Sequence, residues 1–445
     1  MQVRFSDESS VYEFSVAGIT VLSYAPTVGK RGEPSVTDTI EILISTIDAD
    51  SQQSTKDEIN NWLALAVEQW ETVSESRIFI EIKQTNETDW RRSEMLGGRL
   101  RPNKSTLDSH SLHKQEYLLT VDRRNWWEWP EEEIELSYDN DHFATGGLAF
   151  LNDGGSCNFF GNIKGDPQTP IPVRLEFVPT DTSQYIDRIF IAHNVFSTAN
   201  PIVDEHMLQA ADALPDNTGV DMGDATNYNE LDSSGGEMVY IEWDLDTTRL
   251  AGLGGRWFHL LGRIKTPSAT TAVFGKFSLY SKFHVSELPM AVTEETLITS
   301  DTLLSYDLID FGAMRLPTLA PSTTPAPLKM RFSARSSAAF TLWLDAVEIA
   351  PTDSFHHIET TYTSALNPEV IIADGRIGRT YMLTTEGGDT PIYTMDAFAD
   401  VSPHLSVWPG RSQWFTVLHR NLANYMETGQ ELTARAYYRP RRTTV

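Results

Sequence analysis

The sequence predicts a mainly β protein, in which an α+β body with one helix on a sheet carries an inserted jelly-roll-like β-sandwich. Most apolar segments are short and alternate with polar residues, as strands with one buried face do. One long segment instead has apolar residues at helical spacing. Gly, Asn, Asp and Thr separate the strands between about residues 140 and 355. These changes predict three segments, 1–140, 141–355 and 356–445.

The first segment, 1–140, predicts a helix packed on a sheet. Thr55 and Glu58 have the spacing of a capping box, and apolar residues follow at helical spacing to Val73. The runs 40–44 and 77–82 alternate cleanly and predict strands on either side of this helix.

The second segment, 141–355, predicts a β-sandwich of the jelly-roll or galectin-like kind, because seven or more short strands are separated by turn residues. The run Leu342–Pro351 resembles the last strand of many carbohydrate-binding-module sandwiches. Residues 208–234 predict a long excursion, with a short helix near Val203–Ala213.

The third segment, 356–445, resembles the first in its pattern of apolar runs. Domain termini often lie near each other, so we expect segments one and three to form one body that carries segment two as an insertion. A fragment of about 145–352 is then expected to fold alone.

The chain closes on a distinctive β-unit. Residues 405–418 indicate strand, Pro-Gly turn and strand, and residues 434–442 alternate Ala/Tyr with Arg up to Pro440, which is expected to stop the ladder. This pairing resembles the C-terminal end of tail and baseplate proteins of tailed viruses, especially the distal tail protein group. The resemblance implies a non-enzymatic structural subunit in the virion tail, which forms a symmetric homo-oligomeric ring and contacts other tail proteins of the tube and hub.

Aromatic and basic residues supply the candidate interface. Trp126, Trp127 and Trp129 cannot all lie on one face of a strand, and interfaces concentrate Trp and Arg. Contact between subunits, a corner within the chain and stacking on a sugar are the alternatives. Arg439, Arg441 and Arg442 are expected to contact an acidic patch of a neighbouring subunit, because the chain carries a net charge of −27.

Composition excludes several partners and compartments. The acidic charge argues against nucleic acid, whose binding needs a basic surface. The beginning of the chain shows no signal peptide, and no apolar run approaches the roughly 20 residues that span a bilayer. We therefore expect synthesis in the host cytoplasm without membrane insertion. A single cysteine, Cys157, excludes a disulfide within the chain and is expected to be buried.

Each motif that could carry chemistry has a simpler explanation. The glycine-rich run 252–256 precedes a strand rather than a helix, so it predicts a turn and no phosphate site. The acids 131–133, 139–141 and Asp212, Asp216, Asp221 and Asp224 predict surface loops rather than catalytic or calcium sites. His356 and His357 predict a linker pair. We expect no catalytic residue, no metal and no cofactor. The alternative function is recognition of a host-surface carbohydrate by the sandwich.

Overall fold

The structure is a computed structural model of the whole chain. It describes residues 1–7, 9–30, 33–71, 77–103, 114–138, 142–151, 157–167, 169–180, 186–196, 207–209, 213–215, 218–221, 226–245, 257–269, 271–281, 288–299, 307–317, 328–351, 355–359, 370–383, 391–395, 405–421 and 431–444. The predicted class is confirmed, because these residues form antiparallel sheets and one helix.

The strands are numbered in chain order. The first eight are β1 Gln2–Ser6, β2 Val11–Glu13, β3 Ile19–Tyr24, β4 Ser35–Ser45, β5 Phe79–Lys83, β6 Arg91–Pro102, β7 Lys114–Arg124 and β8 Trp127–Glu128, and the helix α1 is Ala49–Glu71. The next eight are β9 Glu132–Glu133, β10 Leu136–Ser137, β11 Leu148–Leu151, β12 Cys157–Phe160, β13 Ile171–Pro179, β14 Ile186–Phe196, β15 Met207–Gln209 and β16 Thr218–Asp221. Then come β17 Thr226–Ser233, β18 Met238–Leu245, β19 Trp257–Ala269, β20 Val273–Ser281, β21 Ala291–Val292, β22 Thr296–Thr299, β23 Asp307–Arg315, β24 Leu328–Ser336 and β25 Phe340–Pro351. The last eight are β26 His356–Glu359, β27 Val370–Asp374, β28 Arg379–Leu383, β29 Pro391–Met395, β30 Ser406–Val407, β31 Ser412–Asn421, β32 Glu431–Tyr438 and β33 Arg441–Arg442.

The chain divides into two compact units. Unit 1 comprises Met1–Glu132, Lys164–Ile171 and Tyr438–Val445, and unit 2 comprises Glu133–Ile163 and Pro172–Tyr437. This division differs from the predicted grouping of 356–445 with 1–140, since only the last eight residues of the chain belong to unit 1.

Unit 1 is a sheet covered by α1. The sheet runs in the order β2-β1-β5-β6-β7-β4-β3, with β8 beside β6 and β33 beside β8. Ile59, Trp62, Leu63 and Ala66 of the helix are buried in one core with the isoleucines of β4 and β5. The expected helix on a sheet is therefore present.

The helix begins earlier than predicted. Its cap is Asp48, whose carboxylate accepts a hydrogen bond from the Ser51 amide at 2.6 Å. Thr55 lies within the helix and donates back to the Ser51 carbonyl at 3.0 Å. The predicted capping box of Thr55 and Glu58 is wrong, because an Asx cap at Asp48, about two turns upstream, already satisfies the helix start.

Unit 2 contains two pairs of sheets. In the first pair, one sheet has the order β10-β12-β31-β14-β26, and the other has the order β11-β32-β13-β27-β28-β29 with β30 beside β13. Strands of residues 136–196 therefore pair with strands of residues 356–438. The expected strand, turn and strand of residues 405–418 are present as β30, a turn at residues 409–410 and β31, and the two strands lie in different sheets.

The second pair is a β-sandwich formed by residues 207–351. Its sheets are β16-β17-β25-β19-β23 with β15 beside β25, and β18-β24-β20-β21 with β22 beside β20. Both contribute to a single core that includes Trp243, Phe277, Phe332 and Leu342. The strand that resembles those of carbohydrate-binding modules is the central β25. Residues 207–209 form β15 rather than the predicted helix, and β16 pairs antiparallel with β17 within the stretch predicted as an excursion.

Candidate functional site

The last strand, β33, pairs with the short strand β8 in unit 1. Arg441 lies opposite Glu128, and Arg442 lies opposite Trp127. Pro440 cannot donate a hydrogen bond, but its carbonyl accepts one from the Trp129 amide at 2.9 Å. Strand β32 ends at Tyr438, before Pro440, as predicted, and β33 after Pro440 pairs in a different sheet.

Beneath this junction, Trp127 is fully buried in the core of unit 1. The guanidinium of Arg123, which is also fully buried, lies 4.4 Å from the centre of its ring. Trp127 therefore packs in the core of its own chain. This position corresponds to the alternative of a corner within the chain.

A buried carboxylate neutralises Arg123. The Arg123 Nε donates to the Asp38 Oδ2 at 2.6 Å, and neither side chain is exposed. Asp38 also accepts hydrogen bonds from the Tyr24 hydroxyl at 2.5 Å and the Thr27 amide at 2.8 Å. Burial and the nearby Asp38 carboxylate raise the pKa of Tyr24 well above its usual value, so this hydroxyl remains a donor. Because every member has a partner, the buried charges stabilise one arrangement of β3, β4 and β7.

Glu128 joins the last strand to the rest of unit 1. Its carboxylate accepts hydrogen bonds from Arg441 at 2.9 and 2.6 Å and from the Nε of Arg92 at 3.2 Å. Burial alone would raise the pKa of Glu128, but Arg441 and Arg92 outweigh it and hold that pKa below its ordinary value. The junction is therefore held by an ionised acid between two arginines.

Trp126 and Trp129 form the half-buried rim of this cluster. Trp126 lies between Arg441, at 4.7 Å, and Arg124, at 5.8 Å. Trp129 lies 4.7 Å from Arg91 and 5.1 Å from the exposed Arg442. The Nη1 of Arg439 is 3.4 Å from the Trp129 carbonyl. All six predicted interface residues thus lie at one junction. We name its partly exposed members, Trp126, Trp129, Arg439 and Arg442, the Arg/Trp rim.

A segment that returns from unit 2 fastens the C-terminal tip. The Asp166 amide donates to the Arg441 carbonyl at 2.8 Å, and the Asp166 carboxylate accepts from the amide and hydroxyl of Thr443 at 2.7 and 2.9 Å. The Lys164 amide donates to the Tyr438 hydroxyl at 3.0 Å. Sequence reasoning missed Asp166, Asp38 and Glu128, because their partners are distant in the chain.

Other singled-out residues serve structural roles where the structure describes them. Glu132 and Glu133 form β9 rather than the predicted turn, and the Glu132 carboxylate is 2.8 Å from the Lys164 ammonium. His356 and His357 are in β26 rather than a linker, and the His357 ring stacks on Phe190 at 4.3 Å. Cys157 begins β12 and Asp221 ends β16. The runs 252–256 and 139–141 and residues Asp212, Asp216 and Asp224 lie outside the described residues.

The described part of the chain contains no group of three or more His, Cys, Asp or Glu side chains placed to hold a metal ion. Its one helix, α1, is not apolar enough to cross a membrane. At the junction itself, the carboxylate of Glu128 is already bound by Arg441 and Arg92. The junction therefore holds the last strand in place and exposes a rim of basic and aromatic side chains.

Comparison with solved structures finds viral proteins of low structural and sequence similarity to this chain. A chain of the phage P2 baseplate, in its activated conformation with Ca, has a TM-score of 0.27 and 8% identity over 100% of this chain and 99% of that chain. Another, with Sr, has a TM-score of 0.20 and 9% identity over 76% of this chain and 99% of that one. A chain of infectious bursal disease virus, Gt strain, has a TM-score of 0.16 and 8% identity over 81% of each chain. Likenesses this distant carry no argument about function. No family model and no curated protein matches the chain.

Proposed function

We propose that this chain is a non-enzymatic structural subunit of a viral tail tip or baseplate, which assembles into a homo-oligomeric ring in the virion and contacts other tail proteins. The observation that carries the proposal is the junction of β8 and β33. It ties the last strand to residues 127–128 and leaves the Arg/Trp rim at the surface of unit 1. Unit 1 thus joins Met1–Glu132 with Tyr438–Val445, which includes the end of the C-terminal segment that resembles distal tail proteins.

The composition of the rim fits a contact between subunits. Aromatic and arginine side chains are enriched at the centres of protein interfaces, where they bury a large area at a small entropy cost. A chain of net charge −27 offers acidic surface on every copy. A basic rim on one copy can therefore meet an acidic surface on the next.

The absence of turnover is part of the same proposal. Buried acids such as Asp38 and Glu128 lie in ion pairs with arginines, and this arrangement gives neither of them the role of an activated nucleophile or base. A screen of glycosides, esters and peptides is expected to show no hydrolysis above a heat-treated control. Hydrolysis that copurifies with the protein would overturn this part of the proposal.

The rim can be tested by reversing its charge. The double change Arg439→Glu/Arg442→Glu is expected to dissociate the oligomer, as measured by size exclusion with light scattering, and added salt should weaken the unaltered oligomer in the same direction. Arg99→Glu/Arg101→Glu is the matched control, because both residues are exposed arginines of unit 1 on β6. An oligomer that survives the first double change at several salt concentrations, or dissociates equally with the control, contradicts the rim as an interface.

The second candidate function is recognition of a host-surface glycan by the sandwich. It is favoured by the exposed aromatic side chains on the sandwich, among them Tyr240, which is 46% exposed. This candidate is compatible with the first, since one chain can assemble through unit 1 and bind a ligand through unit 2.

A further inference from the structure

The two outer faces of the β-sandwich are not equivalent. The sheet of β19, β23 and β25 is covered on its outer side by the sheet of β14, β26 and β31, because Leu261, Leu308 and Ala350 pack with Phe190 and Leu418. The opposite sheet, of β18, β20 and β24, carries exposed apolar side chains at Met238, Tyr240, Val292 and Leu297. The second face is therefore the one that presents aromatic and apolar groups to solvent.

At the middle of this face an arginine is held between two tyrosines. Strand register places Glu242, Arg331 and Ser278 side by side across β18, β24 and β20. The Arg331 guanidinium carbon lies 4.2 Å from the ring centre of Tyr240 and 4.3 Å from that of Tyr280. Both contacts are within the range of cation–π attraction. The three side chains form one contiguous group, which we name the Tyr-Arg-Tyr strip.

Glu242 fixes the orientation of this guanidinium. Its Oε1 accepts hydrogen bonds from the Arg331 Nε at 2.8 Å and Nη2 at 2.5 Å, and its Oε2 accepts one from the Lys329 ammonium at 2.9 Å. Although burial opposes ionisation, these partners hold the pKa of Glu242 below its ordinary value. The hydrogen-bonding groups of the strip are thus oriented before any ligand arrives.

The charges of the face compensate one another. Glu242 lies against Arg331 and Lys329, Asp244 lies opposite Lys329, and Glu295 pairs with Arg335 at 2.5 Å. Among the described side chains of this face, which include Lys276 near Glu295, acids and bases are interspersed, so the face carries no block of one charge sign that would favour an anionic or cationic ligand. Its chemistry suits a neutral ligand that has both a flat apolar side and many hydroxyl groups.

We propose that the Tyr-Arg-Tyr strip binds a neutral oligosaccharide, with a pyranose ring stacked on the exposed side of Tyr240. The axial C–H groups of a pyranose present an apolar face to an aromatic ring, and its equatorial hydroxyls can hydrogen-bond to polar side chains such as Lys329 and Glu242 on the same outer face of the sheet. Met238 and Leu297 give apolar contact at the edge of the same face. This inference deepens the second candidate function and does not depend on ring assembly.

The test uses the full-length protein and defined sugars. Saturation-transfer NMR and calorimetric titration are carried out with neutral hexasaccharides of β-glucan, α-glucan, chitin and galactan, and with sialyllactose and a heparin hexasaccharide as charged probes. At least one neutral hexasaccharide is expected to bind, with neither charged probe binding more tightly. Failure of every neutral probe overturns the inference, and so does preference for a charged one.

Variants locate the site. Tyr240→Ala and Arg331→Ala are each expected to weaken binding about tenfold or more, whereas Tyr240→Phe keeps the ring and should retain it. Trp257→Ala is the matched control, because Trp257 is an exposed aromatic on the other sheet of the sandwich, at 55% exposure. Circular dichroism of each variant excludes unfolding.

Binding that persists in Tyr240→Ala, or that Trp257→Ala reduces equally, contradicts the proposed strip. Light scattering on the same samples reports assembly separately, so a loss of sugar binding can be distinguished from failure of the ring proposal.

Discussion

At the residue scale, Glu128 is the side chain on which the junction depends. Its side chain is 11% exposed and faces two arginines, so its removal leaves buried positive charge without compensation. Glu128→Gln is expected to lower the free energy of unfolding by about 3–5 kcal/mol. Glu132→Gln is the control, because its partner Lys164 is largely exposed and such pairs contribute about 0–1 kcal/mol. Denaturant unfolding of both variants measures this, and equal losses would contradict the assigned role.

A second prediction concerns Glu348, which is buried on β25 between β15 and β19. Burial raises its pKa to about 8, so it is neutral in the folded chain at pH 7 and ionised in the unfolded chain. Its contribution to stability is complete below about pH 4.5 and falls by about 1.4 kcal/mol per pH unit as pH rises toward 8. The advantage of Glu348→Gln over the unaltered protein should therefore increase by about 3 kcal/mol between pH 5 and 7. Calorimetric unfolding at both values tests this, and a constant difference would show that Glu348 does not titrate as described.

Residue composition anticipated the Arg/Trp cluster but not its geometry. The run of Trp126, Trp127 and Trp129 marked a place where one ring must differ from the others, and Trp127 is the buried one. Glu128 was not singled out, because its partner Arg441 is 313 residues away and no local pattern encodes that distance. Asp38 was missed for the same reason, with 85 residues between it and Arg123.

At the element scale, the neighbouring strands β14 and β31 of unit 2 each contain a buried histidine. Burial lowers the pKa of His193 to about 4, although Gln413 opposes this, and burial lowers that of His419 to about 3. Each residue stays neutral when folded and gains a proton on unfolding below about pH 6.5. Their stabilising contribution is therefore complete above about pH 6.5 and is lost as pH falls toward 4 and 3 respectively.

A substitution separates this effect from other acid titrations. His419→Gln should abolish about 2 kcal/mol of the stability loss between pH 7 and 5. Differential scanning calorimetry of the variant and the unaltered protein gives the difference at each pH. A difference that does not change with pH would contradict a neutral, buried His419.

Local pattern fixed the type of most elements but not their boundaries or pairing. The helical spacing of Ile59, Trp62 and Ala66 gave α1 its buried face, whereas the cap at Asp48 lay outside the apolar pattern and was missed. The Pro-Gly turn near residue 410 correctly separates two strands, but the local pattern does not predict that β30 and β31 pair in different sheets. Here the Gln413 side chain closes the turn, with hydrogen bonds to the amide and carbonyl of Trp408 at 2.7 Å.

At the scale of the whole molecule, the strands of the sandwich come, in chain order, between two groups of strands that pair with each other in the other sheets of unit 2. The sheets of residues 207–351 share a core of their own, whereas β12 and β14 pair with β31. The alternation of apolar and polar residues does not predict this nesting, because the strands on both sides of residue 200 alternate in the same way.

This nesting predicts which fragment folds. A fragment of residues 205–353 is expected to melt cooperatively as a monomer, because it contains both sheets of its sandwich. Extension back to residue 145 adds β12, β13 and β14 without their partner strands, so this longer fragment should aggregate. Circular dichroism melts and light scattering compare the two. A soluble, cooperative 145–352 fragment and an unfolded 205–353 fragment would contradict the observed nesting.

The central claim is that this chain is a ring-forming structural subunit of a viral tail. Negative-stain electron microscopy of the purified full-length protein tests it most directly. We predict closed rings of one uniform symmetry, which disappear when Arg439→Glu/Arg442→Glu is introduced and persist with Arg99→Glu/Arg101→Glu. Monomers at every concentration and salt condition, with no ring in the presence of the other tail proteins, would contradict the claim.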